Sequence, residues 1–191
     1  MINIILSGAP GAGKGTQAEK LKCKYELVHL STGDIIRKEI ELGTTLGKQL
    51  EADNKIGKYA PDDVMIDLIA KNVREAKKNK IGGFIFDGFP RTVNQYNSLA
   101  HIFLLNDLRL TSIIHLDVPT EIVIERIRNR GLTSNRPDDQ NIETILERIN
   151  QFKTKTEELL KYYAFEHEFV WIKATGTPEE VFEEIKLKLN I

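Results

Sequence analysis

A chain of 191 residues has room for one well-cored α/β domain and too little for two. Its 41% hydrophobic and 29% charged residues describe an ordinary globular protein and exclude wholesale disorder. The formal net charge of −1 offers no global basic field for nucleic acid or an acidic membrane surface, so an anionic ligand must be held by local arginines and lysines. No apolar run approaches the roughly 20 residues that span a bilayer. The first residues lead straight into a strand-like run without the basic, apolar and cleavage regions of a signal peptide. Cys23 is the single cysteine, which gives no disulfide framework and no cysteine metal site. A reducing cytoplasm is the expected compartment.

In chain order, strand-like and helix-like segments alternate, the pattern of a parallel sheet wrapped by crossover helices. Ile2, Ile4, Ile5 and Leu6 form a short apolar run suited to a strand buried on both faces. A glycine-rich turn follows, and Gln17 to Lys22 reads as the opening of a helix. Leu27 to Leu30 is a second strand, with His29 expected as a packed strand residue. Ser31-Thr-Gly-Asp opens a helix, Leu46 to Ala52 forms another, and Pro61-Asp-Asp starts a longer one with Val64, Met65, Leu68, Ile69 and Val73 on its apolar side. Gly82 to Phe86 is the third strand, and Thr92 caps a helix running to about Asn106. Thr111 to Val118 is the fourth strand, followed by a helix from Pro119 that carries Arg126 and Arg130. Gly131 to Pro137 is short and polar, and Ile142 to Tyr163 reads as one long amphipathic helix. Phe169 to Ile172 is the fifth strand, with Trp171 expected in the core, and Pro178 to Leu189 is the closing helix.

The chemistry gathers first at Gly8-Ala-Pro-Gly-Ala-Gly13-Lys14. Two glycines five apart, with a lysine after the second, give the phosphate-loop spacing in a strand–turn–helix setting. Glycines let the backbone aim successive N–H groups inward, and the helix N-terminus adds a positive field. The generic loop puts a hydroxyl directly after the lysine, whereas here Gly15 intervenes and the hydroxyl comes at Thr16.

This version resembles the nucleoside monophosphate kinases, the adenylate kinase family above all. Four further stretches match that family: Ser31-Thr32-Gly-Asp-Ile-Ile-Arg37, Asp87-Gly-Phe-Pro-Arg91 with Gln95, Asp117 to Arg130 with Arg136, and Thr175-Gly176-Thr177. The resemblance covers essentially the whole chain. It implies a P-loop NTPase fold of the α/β class: a five-stranded parallel sheet flanked by helices, with a small helical AMP-binding insertion and a short lid. One kinase domain is expected over 1–191, with core 1–30, 61–130 and 138–191, AMP-binding segment 31–60 and lid 131–137. The lid resembles the short form, without the cysteine cluster that holds zinc in some relatives. The implied activity is ATP + AMP = 2 ADP, with Mg2+ accompanying ATP and no zinc.

By the same resemblance ATP contacts Gly11, Ala12, Gly13, Lys14, Gly15, Thr16, Arg126, Arg130 and Gly176. AMP contacts Thr32, Arg37, Lys58, Tyr59, Ala60, Gly88, Phe89, Pro90, Arg91, Gln95, Arg136 and Arg148. Lys14, Arg91, Arg130, Arg136 and Arg148 are the catalytic set, and Asp87, through water, and Thr16 are the metal candidates. ATP, AMP and ADP are the expected partners of a monomer, with no nucleic acid or membrane. UMP/CMP kinases carry alanine and asparagine where this chain has Thr32 and Gln95, so the pair favours AMP as acceptor. A guanine-type switch would need an Asn-Lys-x-Asp signature, which is absent. The chain departs from the family pattern at Lys58-Tyr59-Ala60, at Asn135 in place of a lid glycine, and by one extra residue between Asp139 and Arg148.

Overall fold

The computed structural model describes residues 1–134, 136–166 and 168–189. The departure at Asn135 therefore lies outside the described residues. Five parallel strands, β1 (Ile2–Gly8), β2 (Leu27–Ser31), β3 (Gly83–Asp87), β4 (Ser112–Asp117) and β5 (Phe169–Lys173), form one sheet in the order β2-β3-β1-β4-β5. The helices are α1 (Lys14–Tyr25), α2 (Thr32–Glu41), α3 (Thr45–Lys55), α4 (Asp62–Ala76), α5 (Val93–Leu105), α6 (Thr120–Thr133), α7 (Ile142–Gln151), α8 (Glu157–Tyr163) and α9 (Pro178–Leu189).

Alternation along the strands splits the interior into two cores. Ile4, Leu6, Ile85, Ile114 and Leu116 face α1, α6 and α9 through Ala18, Leu21, Val123, Ile127, Val181 and Ile185. Ile5, Phe84, Phe86 and Ile113 face α4, α5 and α8 through Leu68, Ile69, Val73, Leu99, Phe103 and Leu159. The chain thus leaves β1 for one face of the sheet and leaves the adjacent β3 for the other. Ligands of open α/β sheets gather in the crevice outside such a switch point. Among the described residues no helix is long and apolar enough to cross a membrane.

The structure corrects several expectations. Helix α6 runs through Gly131 to Thr133, so the polar segment expected from Gly131 is helical over its first three residues. The long helix over 142–163 is interrupted by a π turn, Phe152–Thr156, between α7 and α8. Trp171 is 51% exposed rather than in the core; it lies on the edge strand β5, where Ile172 alone is fully buried.

The Trp171 ring packs at 4.5 Å on His115, a buried side chain that also shares a hydrogen bond with Ser7 Oγ at 3.3 Å. Burial pushes the His115 pKa down to about 4 from 6.5; Asp117 opposes the shift and Lys14 adds to it. Between those two values the unfolded chain takes up a proton that the folded chain refuses. Stability is therefore lost as pH falls from 6.5 towards 4, by about 3 kcal/mol at most. We expect His115→Phe to flatten the urea midpoint between pH 6.5 and 5, a window above the carboxylates, and an unchanged slope would contradict this.

Candidate active site at the carboxyl ends of the strands

A cleft of about 700 Å³ opens over the carboxyl ends of β1 and β3. The loop between β1 and α1 forms its floor. Gly11 and Gly13 have φ of 82° and 99°, the left-handed region that favours glycine, and a Cβ on Gly11 would stand 2.7 Å from Ile127 Cγ1. Gly13 is the N-cap of α1 and makes no side-chain cap, so the first amides of that helix are left for an anion. Lys14 folds back over the loop, its Nζ donating to Gly8 O at 2.7 Å and Ala9 O at 2.9 Å. Burial lowers its pKa to about 8; Asp87 opposes the shift, and Arg91, Arg148 and Arg130 reinforce it. An anionic phosphate needs the ammonium form. Affinity for a phosphate-bearing ligand should weaken above about pH 8, by up to tenfold per unit. An equilibrium binding titration across pH 6.5–9.5 checks this, and a flat profile would contradict it.

Asp87 closes β3 facing α1, with Oδ2 3.8 Å from where a Gly15 Cβ would stand. His29, which faces the cleft from β2, contacts Asp87 Oδ2 through Nε2 at 3.2 Å and Glu19 Oε1 through Nδ1 at 3.1 Å. It is thus more than the packed strand residue the sequence led us to expect. Both partners accept only, so both ring nitrogens are satisfied together only in the protonated ring. Burial disfavours that charge, but the hydrogen bonds and charges of Asp87 and Glu19 outweigh it and raise the His29 pKa.

On the side of α2, Ser31 caps the helix by accepting from Asp34 N. Thr32 and Arg37 face the cleft, with Arg37 paired to Asp34. Arg91 donates through Nε to Gly88 O at 2.6 Å and through Nη2 to Thr32 Oγ1 at 2.8 Å. Lys58, Tyr59, Ala60, Gly88 and Pro90 also line the cleft. Phe89 does not: it is fully buried in the core beneath α4 and α5. Its neighbours Gly88, Pro90 and Arg91 carry the cleft wall while its ring fills the core. Gln95 borders a small recess shared with Thr32, Ile36, Tyr59, Ala60 and Met65. Its Oε1 accepts from Arg91 N at 2.8 Å and its Nε2 donates to Asp62 Oδ1 at 2.7 Å. An amide has two donors and two lone pairs, so one of each remains for a base edge.

Opposite, α6, α7 and the segment between them bring in the remaining arginines. Arg130 grips Asp139 with two bonds of 2.6 and 2.8 Å, and Arg148 Nη1 lies 2.8 Å from both Asp138 Oδ2 and Asp139 Oδ1. The extra residue before Arg148 does not turn it away from the cleft. Asp139 is buried, which resists its charge, but hydrogen bonds and charge from Arg130 and Arg148 hold its pKa below the usual value. Arg126 donates to Ala174 O at 3.0 Å, tying α6 to the turn that carries Gly176. The Arg136 guanidinium is held below its ordinary pKa, by burial first and then by Arg37 and Arg130. Gly11, Ala12, Gly13, Lys14, Gly15, Thr16, Arg126, Arg130, Arg136, Arg148 and Gly176 all line the same cleft.

The family model described as adenylate kinase matches residues 6–168. The chain belongs to the adenylate kinase family. An adenylate kinase of Flavobacterium psychrophilum is 42% identical over 190 residues, spanning 100% of this chain and 99% of its own. One from Bacteroides fragilis is 42% identical over 185 residues, 97% of this chain and 96% of its own. One from Parabacteroides distasonis is 41% identical over 190 residues, 100% and 98% of the two chains. As an adenylate kinase family member with this sheet, the chain has the P-loop NTPase fold and is a nucleoside monophosphate kinase, a phosphotransferase.

The adenylate kinase motifs drew attention to arginines and glycines and away from the groups that hold them. Asp138 and Asp139 were visible only as part of an acidic pair after Arg136. Thr156 and Phe152 reach the cleft from the π turn, for which the helical periodicity gave no signal.

Proposed function

We infer that this chain transfers the terminal phosphoryl group of ATP to AMP, reversibly, yielding two ADP. The observation that carries the reading is the convergence of Lys14, Arg37, Arg91, Arg130, Arg136 and Arg148 on one cleft, beside a recess bordered by Thr32 and Gln95. An AMP phosphate oxygen is already ionised near neutral pH and attacks the γ-phosphorus directly. The bond from that phosphorus to the β–γ bridging oxygen breaks, and no general base is needed. The protein's work is alignment and charge neutralisation. The loop amides and Lys14 hold the donor's phosphates, and Arg37 and Arg91 hold the acceptor's. Arg130, Arg136 and Arg148 meet the group in transit, and Arg126 and Gly176 border the donor's nucleoside. Thr32 and Gln95 read adenine, alongside the backbone of Lys58, Tyr59 and Ala60.

Magnesium fits the chemistry of the donor set. Asp87 and Thr16 offer hard oxygen donors at the cleft, which suits a metal carried mainly by phosphates and water. Asp87, through water, and the Thr16 hydroxyl would hold it, and the bound ion would neutralise the outer phosphates. We assign 31–60 as the AMP-binding segment, 131–137 as the lid and the rest as core, with closure of both excluding water. A monomer is favoured because one chain supplies the whole cleft, and a cytoplasmic site of action is favoured by the single exposed cysteine, Cys23.

Incubation with Mg-ADP alone tests the reaction. ATP and AMP should appear in equal amounts; AMP and free phosphate without ATP would indicate a hydrolase instead.

A further inference from the structure

Arg91 is held differently from the other arginines of the cleft. Arg37, Arg130 and Arg148 each rest on a carboxylate. Arg91 has its guanidinium carbon 4.4 Å from the centre of the Tyr59 ring, with Gly88 O and Thr32 Oγ1 taking two of its N–H groups. Tyr59 lies between α3 and α4, whereas Arg91 follows β3. A third element closes the arrangement: Thr156, buried in the π turn, donates to Arg91 O at 3.3 Å and lies 3.5 Å from the Tyr59 hydroxyl.

A carboxylate partner occupies N–H groups and offsets the positive charge. An aromatic face attracts the guanidinium through its quadrupole and takes no N–H group. Of the five guanidinium N–H groups, three are left by the contacts to Gly88 and Thr32, and the ring keeps the plane that carries them fixed. An arginine held this way stays rigid while retaining its charge for an incoming phosphate.

We propose that Tyr59 is a positioning residue that holds Arg91 for the acceptor's phosphate, so that its ring sets affinity for the nucleoside monophosphate and leaves that for ATP alone. The proposal rests on the reading of Arg91 as the acceptor-side arginine. The competing role for the ring, a stacking platform for the base, predicts a different pattern of loss.

Steady-state kinetics of the parent, Tyr59→Leu and Tyr59→Phe enzymes provide the test, with binding of ribose 5-phosphate and of adenosine followed by NMR titration. Tyr59→Leu should raise the KM for AMP about 3- to 10-fold and leave that for ATP within about twofold. Ribose 5-phosphate should weaken by the same factor as AMP, with adenosine unaffected. Tyr59→Phe, which keeps the ring, should restore most of the loss. An equal rise in both KM values, no rise for AMP, a loss confined to adenosine, or failure of phenylalanine to rescue would each overturn the proposal. A parent enzyme that accepts CMP or UMP in place of AMP overturns the AMP reading, and the Tyr59 proposal is then judged by the same split on that acceptor.

Discussion

Lys14→Met should lower turnover by about 10²-fold or more, on the scale of losing one transition-state donor. Methionine keeps the unbranched stem and removes only the ammonium that reaches over the loop to Gly8 O and Ala9 O. Gly8 lines the cleft, where water can take the place of the lysine. Stability should move the other way. Burial drives the Lys14 pKa down to about 8 from 10.5, so at pH 7 the folded chain carries a charge it would hold more easily in water. Removing it should leave the melting temperature unchanged or higher. A fall in kcat without a fall in melting temperature marks a group kept for chemistry. Near-normal turnover, or a collapse of both quantities together, would contradict the assignment.

Asp139→Ala should cost about 10- to 100-fold in kcat, the second-largest effect expected. The Asp139 side chain is fully enclosed and takes two bonds from Arg130 and one from Arg148. It contacts no substrate in the proposed arrangement. Its effect is to fix two guanidinium planes so that their remaining N–H groups are aligned before the phosphoryl group arrives. Without it Arg130 loses its bidentate partner, while Arg148 keeps Asp138. Arg130 and Arg148 retain 35% and 20% side-chain exposure, so water compensates part of the lost pairing and the stability cost should stay at about 1–3 kcal/mol. Asp138→Ala should be milder in rate, because Arg148 then keeps Asp139. Kinetics and melting curves for the two variants check the order, and equal losses would contradict it.

How far the sequence exposed this arrangement depends on the distance over which each group acts. The phosphate loop was legible because its chemistry is local: glycine spacing, a lysine and a following helix lie within one turn of chain. The capping of α2 by Ser31 and of α5 by Thr92 was legible for the same reason. His29 was not, because its partners Glu19 and Asp87 come from other elements, ten and fifty-eight residues away. Strand order was likewise hidden, and with it the fact that β5 is an edge and that Trp171 stays half exposed. Which way each residue of the Gly88 to Arg91 run points was also hidden: Gly88, Pro90 and Arg91 face the cleft, while the Phe89 ring fills the core. The π turn escaped notice because a single wider turn barely disturbs a 3.6-residue periodicity over a long helix.

Initial rates of ADP formation with Mg-ATP and each of AMP, GMP, CMP and UMP test the central claim most directly. The claim rests on the Thr32 hydroxyl beside Arg91 and on the one donor and one lone pair that Gln95 retains after its bonds to Asp62 and Arg91. Strong turnover with AMP and little with the other three is the predicted result. Comparable or faster turnover with CMP or UMP would contradict the assignment of Thr32 and Gln95 as readers of adenine.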